Sequence, residues 1–99
     1  MKKRYLKTKP VCKVTFDLPA EIGPARQVSL TGDFNDWNAE STPMKRRKDG
    51  SFTVTVDLRR DAEYQFKYLI DGQRWENDSA ADKYIPAPVG DGDNSVIVV

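Results

Sequence analysis

Phe52-Thr53-Val54-Thr55-Val56-Asp57-Leu58 is the stretch on which the fold turns. Apolar residues hold every second position and polar residues the positions between. Successive side chains of a strand point to opposite faces, so this is a strand with one buried face and one wet face. Valine, threonine and phenylalanine suit the pleated backbone. The same alternation runs upstream through Cys12-Lys13-Val14-Thr15-Phe16-Asp17-Leu18 and in Val28 and Leu30. Downstream, Tyr64, Phe66, Tyr68 and Ile70 alternate with Gln65, Lys67 and Leu69, and Val96-Ile97-Val98-Val99 closes the chain as a run of β-formers.

Turn signals separate these runs. Leu18-Pro19 and Gly23-Pro24 bracket one loop, and Asp49-Gly50 and Asp71-Gly72 are hairpin dipeptides. Asp91-Gly92-Asp93-Asn94 precedes the last run. No stretch holds a 3.6-residue apolar period long enough for a helix of about ten residues. Short alternating strands with frequent turns predict an all-β protein, an antiparallel β-sandwich. Residues 78–93 read as a long connection anchored by Tyr84 and Ile85.

The 99 residues are enough for one domain with a core of its own. Charged residues make up 31% against 38% hydrophobic, which rations apolar side chains to one face of each element. Net charge is +1, but Lys2, Lys3, Arg4, Lys7 and Lys9 crowd the start and Lys45, Arg46, Arg47 and Lys48 form a second cluster. The first cluster reads as a solvated tail rather than a nucleic-acid contact. The second precedes Asp49-Gly50 and reads as the flank of a turn. Cys12 stands alone, in phase with Val14, Phe16 and Leu18, so it reads as a small core residue. No secretory or membrane-spanning run is present, and a cytoplasmic location is expected. The chain opens on Met1 with no catalytic partner attached, which favours a stand-alone protein.

Catalysis is disfavoured by composition. With no histidine, the commonest general base is missing, and Cys12 is assigned to the core. A glycosidase needs two carboxylates flanking a cleft, which a small sandwich hardly offers. Asp91, Asp93 and Asn94 supply oxygens, but without the glycine and glutamate spacing of a calcium loop. Gly90-Asp91-Gly92 lacks the following helix of a phosphate loop, and its carboxylate would repel phosphate. No enzyme activity, cofactor or metal is expected. What remains is aromatic. Trp37 stands in a polar loop, Trp75 follows the Asp71-Gly72-Gln73 turn, and Lys67 lies on the polar side of the strand leading into it. A flat ring edged by amide and ammonium groups suits a ligand with C–H faces and hydroxyl rims, which describes a sugar. The other reading makes either tryptophan a lid on the core.

Val28-Ser29-Leu30-Thr31-Gly32-Asp33-Phe34-Asn35-Asp36-Trp37 resembles the V-x-L-x-G-x-F-N-x-W opening of family 48 carbohydrate-binding modules. These include the glycogen-binding domain of the AMP-activated protein kinase beta subunit and the early-set domains of isoamylases and glycogen branching enzymes. Tyr64 through Gly72 resembles the family's Y-x-[FY]-K-[FY]-x-[IV]-D-G, Trp75-Glu76-Asn77-Asp78 its W-x-x-D, and Asn94 through Val99 its N-x-[IV]-[IV]-x-V. The resemblance spans about residues 11–99 in order. It implies an immunoglobulin-like, early-set sandwich over residues 10–99 behind a flexible basic tail of residues 1–9. It also implies a non-catalytic module for an α-1,4/α-1,6-glucan of the glycogen or starch type, with Trp37 and Trp75 stacking on the sugar and Lys67 and Asn94 hydrogen-bonding its hydroxyls. A glycogen-metabolising enzyme is a further expected partner, and nucleic acid and membrane are not. The alternative is a structural or protein-interaction domain of a glucan enzyme or kinase complex, in which one of the two rings is buried.

Two departures from the family pattern bear on the site. Arg74 is inserted before Trp75, and a one-residue slip within a strand would turn Trp75 to the other face. A longer hairpin loop is expected to absorb it. In the final loop Gly90 stands where the kinase-type domain carries a leucine, with Val89 as a substitute.

Overall fold

The computed structural model describes residues 1–88, 90 and 92–99. Among them are the strands β1 (Lys2–Tyr5), β2 (Val11–Leu18), β3 (Val28–Gly32), β4 (Lys45–Arg46), β5 (Phe52–Arg59), β6 (Glu63–Ile70), β7 (Arg74–Glu76), β8 (Lys83–Pro86) and β9 (Asp93–Val98). The described residues hold no α-helix, only three-residue 3₁₀ turns at Ala20–Ile22 and Asp33–Asn35. Two antiparallel sheets result. One runs β1-β2-β5-β4 and the other β3-β6-β9-β8, with β7 also paired to β6. The expected antiparallel sandwich is the fold.

The alternation of the sequence becomes the two inner faces. Cys12, Val14, Phe16 and Leu18 of β2 face Phe66, Tyr68 and Ile70 of β6 across the core, all essentially excluded from solvent. Phe16 and Phe66 meet edge to face with ring centroids 5.0 Å apart, which joins the two sheets at their centre. Phe34 packs against the same cluster, 5.9 Å from Phe16 and 6.1 Å from Tyr64. On the outer face of the β2–β5 pair, Lys13 meets Asp57 at 2.9 Å and the hydroxyls of Thr15 and Thr55 lie 3.0 Å apart. These pairs are exposed and contribute little to stability.

Two segments differ from their sequence reading. Residues 1–9 read as a flexible tail, yet Lys2–Tyr5 pair along β2, and Lys3 Nζ reaches Asp82 at 2.6 Å and the Val98 carbonyl at 2.8 Å. An edge strand exposed on both faces has no alternation to display, so its cations hid it. Within residues 78–93, read as a connection, Lys83–Pro86 pair with β9 as another edge strand, and it carries Tyr84 and Ile85. The second basic cluster flanks a turn, as its sequence reading has it: Lys45 and Arg46 pair with β5, and Arg47 closes the turn and reaches Asp17 at 2.9 Å.

Strand β6 organises the second sheet. One edge pairs with β3 along Phe66–Ile70. The other edge is shared, with β9 taking Glu63–Phe66 and β7 taking Tyr68–Ile70. Lys67 sits where one partner gives way to the other. A buried network ties the two partners together there. Tyr68 Oη donates to Asp78 Oδ2 (2.6 Å), the Asp78 N–H donates to Ser95 Oγ (2.9 Å), and Ser95 Oγ donates to Asn77 Oδ1 (2.8 Å). Asn77 Nδ2 then donates to the Asp93 carbonyl at 2.9 Å. Burial first, and then the charge of Asp78, push the Tyr68 phenol far above the usual tyrosine range, so the hydroxyl remains the donor.

Gly32 is demanded by space rather than by its backbone angle, which is extended. A Cβ there would lie 2.6 Å from the Gln65 carbonyl oxygen and 2.9 Å from both Phe66 Cβ and Phe34 Cε2. Gly32→Ala is therefore expected to lower unfolding free energy by about 1–3 kcal/mol, measured by urea titration. An unchanged midpoint would remove this packing argument. A second test concerns acid. The backbone N–H groups of Gln27 and then Arg26 donate to the Asp71 carboxylate and hold it below its ordinary value of 3.8. A depressed folded-state value stabilises above the unfolded value and is lost as pH falls through the folded one. Asp71→Asn should flatten the fall in melting temperature below about pH 4, leaving the curve above that pH parallel to wild type.

Candidate functional site

Trp37 stands on a loop with little freedom. Asn35 staples it, its Oδ1 accepting from the Gly32 N–H at 3.0 Å and its Nδ2 donating to the Leu30 carbonyl (2.9 Å) and Thr42 Oγ1 (3.0 Å). Asp36 and Trp37 both take the left-handed conformation, each with φ 56°. For side-chain-bearing residues this costs roughly 1–2 kcal/mol each. The Trp37 N–H is satisfied by the Gly32 carbonyl at 2.9 Å. The indole Nε1–H donates to Asp33 Oδ1 at 3.0 Å, and Asp33 Oδ2 accepts from the Gln65 N–H at 2.8 Å. The ring is half-buried with its one polar atom engaged, and it offers a face rather than a donor.

Trp75 comes from the β6–β7 hairpin. The three residues Asp71, Gly72 and Gln73 make its loop, with Asp71 at φ 52° and Gly72 at φ 66°, and the Gln73 N–H closes it on the Ile70 carbonyl at 3.0 Å. Arg74 pairs with Ile70 and Trp75 with Leu69. The loop thus absorbs the extra residue, and Trp75 shares the outward face of Leu69 and Lys67. Its ring is 49% exposed, unusual for a tryptophan and therefore informative.

Lys67 rises from β6 at the gap between β9 and β7. Asn94 lies one position beyond the paired Phe66 and Ser95, on the β9 side of that gap. Its Nδ2 donates to Gln65 Oε1 at 3.0 Å. This leaves Oδ1 and a second amide proton among its hydrogen-bonding groups. Among the described residues Lys67 Nζ forms no ion pair and no hydrogen bond.

Trp37, Lys67, Trp75 and Asn94 line one open cavity of about 520 Å³. Ala87, Pro88 and Gly90 complete its rim. Gly90, at φ 81°, has nothing among the described residues within 4 Å of where a Cβ would stand. Val89, considered as the leucine substitute, and Asp91, considered as an oxygen donor, lie outside the described residues. The four residues singled out in the sequence thus come together. Sequence reasoning missed Asp33 and Gln65, which hold two of them, and the Ala87-Pro88 rim. Asp33 stands four residues before Trp37, a spacing that a helical turn would have suggested. Nothing local pointed to Gln65 or Pro88.

Residues 21–86, two thirds of the chain, match the family described as the glycogen recognition site of AMP-activated protein kinase. The chain is also similar to the 1,4-alpha-glucan branching enzyme GlgB of Aquifex aeolicus, 44% identical over 57 residues, covering 57% of this chain and 9% of that enzyme. It is similar to Cruciform DNA-recognizing protein 1 of Saccharomyces cerevisiae, 34% identical over 74 residues, covering 72% of this chain and 15% of that protein. The chain therefore spans under a sixth of the length of either relative. With two thirds of its residues on the family pattern, the chain belongs to the family of the glycogen recognition site of AMP-activated protein kinase, a non-catalytic carbohydrate-binding module.

Proposed function

We propose that the chain binds α-1,4-linked glucan, free or within a branched α-1,4/α-1,6 polymer, on the cavity framed by Trp37 and Trp75. The observation that carries this reading is the convergence of two tryptophan rings, one ammonium and one amide on a single open cavity. The rings cover the C–H faces of neighbouring glucose units. The indole N–H of Trp37 is already engaged by Asp33, so that ring contributes surface and no directed bond. Direction comes from Lys67 Nζ and from the Asn94 amide, which is 6% exposed but lines the cavity, both groups being suited to hydroxyls. The other reading, in which a ring closes the core, requires a buried tryptophan. Trp75 is half exposed and Trp37 half-buried, both on the cavity, which favours the sugar.

If each ring removes ~80–100 Å² of apolar surface from water, it contributes roughly 2–2.5 kcal/mol. Two rings and two exposed hydrogen bonds must offset an association cost of several kcal/mol or more. The resulting Kd is micromolar to millimolar. Such affinity suffices on a polymer that presents many equivalent chains. Gly90 itself brings no side chain to enter a curved glucan, which favours modest affinity and tolerance of chain shape.

Calorimetry with maltoheptaose tests the reading, and no heat of binding at millimolar sugar would sink it. Trp75→Ala and Trp37→Ala are each expected to weaken binding by about tenfold or more, from the loss of roughly 1.5–2.5 kcal/mol of ring contact. Lys67→Ala should weaken it by a smaller factor, with the melting temperature kept because Lys67 lies outside the core. Retention on glycogen and amylopectin, and passage through cellulose, is the expected pattern in a pull-down. Equal retention on all three would replace the α-glucan assignment with general sugar stacking.

A further inference from the structure

Asp33 and Gln65 are absent from both the core cluster and the cavity lining, yet both carboxylate oxygens of Asp33 and the side-chain oxygen of Gln65 accept hydrogen bonds. The β3–β6 ladder ends at Gly32 and Phe66, so the next N–H of β6, that of Gln65, has no strand partner. Asp33 Oδ2 accepts it at 2.8 Å. The other oxygen of the same carboxylate takes the Trp37 indole N–H at 3.0 Å. The Gln65 side chain then points its Oε1 at Asn94 Nδ2, 3.0 Å away. One chain of hydrogen bonds, Trp37 to Asp33 to Gln65 to Asn94, runs behind the cavity and fixes one stacking ring and one amide on the frame of β6.

We infer that Asp33 and Gln65 are positioning residues of this site, Asp33 setting the plane of the Trp37 ring and Gln65 the orientation of the Asn94 amide. The inference rests on the glucan reading of the cavity for its functional meaning, but its geometry does not. Trp37 stands on two consecutive left-handed residues, a backbone that holds only when its surroundings specify it. Among the described residues the Asp33 carboxylate makes the one hydrogen bond to the ring itself, and the backbone bond of Trp37 to Gly32 fixes the loop and leaves the side-chain torsions free. A ring already set in its bound orientation loses less freedom when sugar arrives. Gln65 does the same for Asn94, holding one amide proton so that the planar amide keeps a single orientation.

The test separates position from binding. The chain has two tryptophans, so Trp75→Phe leaves Trp37 as the sole emitter. In that background, without sugar, Asp33→Ala should lower the fluorescence anisotropy of Trp37 and shift its emission to the red. Unchanged anisotropy and emission would overturn the role of Asp33 whether or not the protein binds glucan. In the wild-type background, Asp33→Ala should weaken maltoheptaose by about tenfold, as expected for loss of a hydrogen bond to a charged acceptor. Gln65→Met should weaken it by about threefold from loss of a neutral hydrogen bond, with Trp37 anisotropy unchanged. Gln65→Glu, which keeps an acceptor for Asn94, should bind within about twofold of wild type by the same accounting. If Asp33→Ala does not fold, Gln65→Met and Gln65→Glu decide the point, and wild-type affinity in Gln65→Met overturns the relay. Failure of wild-type protein to bind any glucan removes the proposed function, while the anisotropy measurement still decides whether Asp33 holds the ring.

Discussion

The edge of a strand can pair with one neighbour at a time, and β6 divides one of its edges between two. β9 holds the first half and β7 the second. Where they meet, at Lys67, the sheet has a gap on its outer face rather than a continuous ladder. A gap is a cost unless its polar groups are satisfied. Here Tyr68, Asp78, Ser95 and Asn77 hydrogen-bond to one another and to the Asp93 carbonyl, and they bind the end of β7 to the start of β9. The cavity exists because of this exchange. An uninterrupted strand in place of β7 and β9 would carry neither the hairpin that presents Trp75 nor the strand start that presents Asn94.

The two tryptophans are held by different means. Trp75 is fixed by register, through its place opposite Leu69 in a short hairpin, and its ring stands half in solvent. Trp37 is fixed by hydrogen bonds, through Asn35 beneath the loop and Asp33 at its indole. The first arrangement depends on the count of residues in a turn. The second depends on individual polar side chains and on Gly32, whose missing Cβ lets the loop leave β3 close against β6. Both sets of constraints converge on β6, through the Leu69 pairing on one side and the Gln65 N–H on the other. Rigid presentation of this kind suits weak ligands, because little affinity remains to be spent on ordering the site.

Segments of much longer relatives are similar to this chain in sequence. The cavity lies on the sheet built around β6, and the sheet of β2 and β5 lies opposite. In this chain that opposite sheet gains β1, whose Lys3 crosses to Asp82 and the Val98 carbonyl and so ties the two sheets at their edges. The basic start of the chain thus has a structural use of its own.

The division between sequence and structure follows from the range of the forces involved. Alternation in β2, β5 and β6 was legible because half-buried strands write their burial into every second residue, and dipeptides such as Asp71-Gly72 write their turn into the backbone preference of two residues. The edge strands β1, β4 and β8 were not legible, because a strand bonded on one side and wet on both faces has no pattern to show. The residue types for a sugar site, Trp37, Lys67, Trp75 and Asn94, could be read from the chain with the help of family resemblance. That they meet in one cavity depended on the tertiary structure. So did the direction of Trp75 after the Arg74 insertion, which a count of residues leaves open and a three-residue loop decides. Asp33 and Gln65 lie 32 positions apart, and only the pairing of β3 with β6 sets the carboxylate beside the amide. The chain by itself determined which faces must be buried. Only folding decided which polar groups stand behind the rings, because a hydrogen bond acts over about 3 Å and has no period along the sequence.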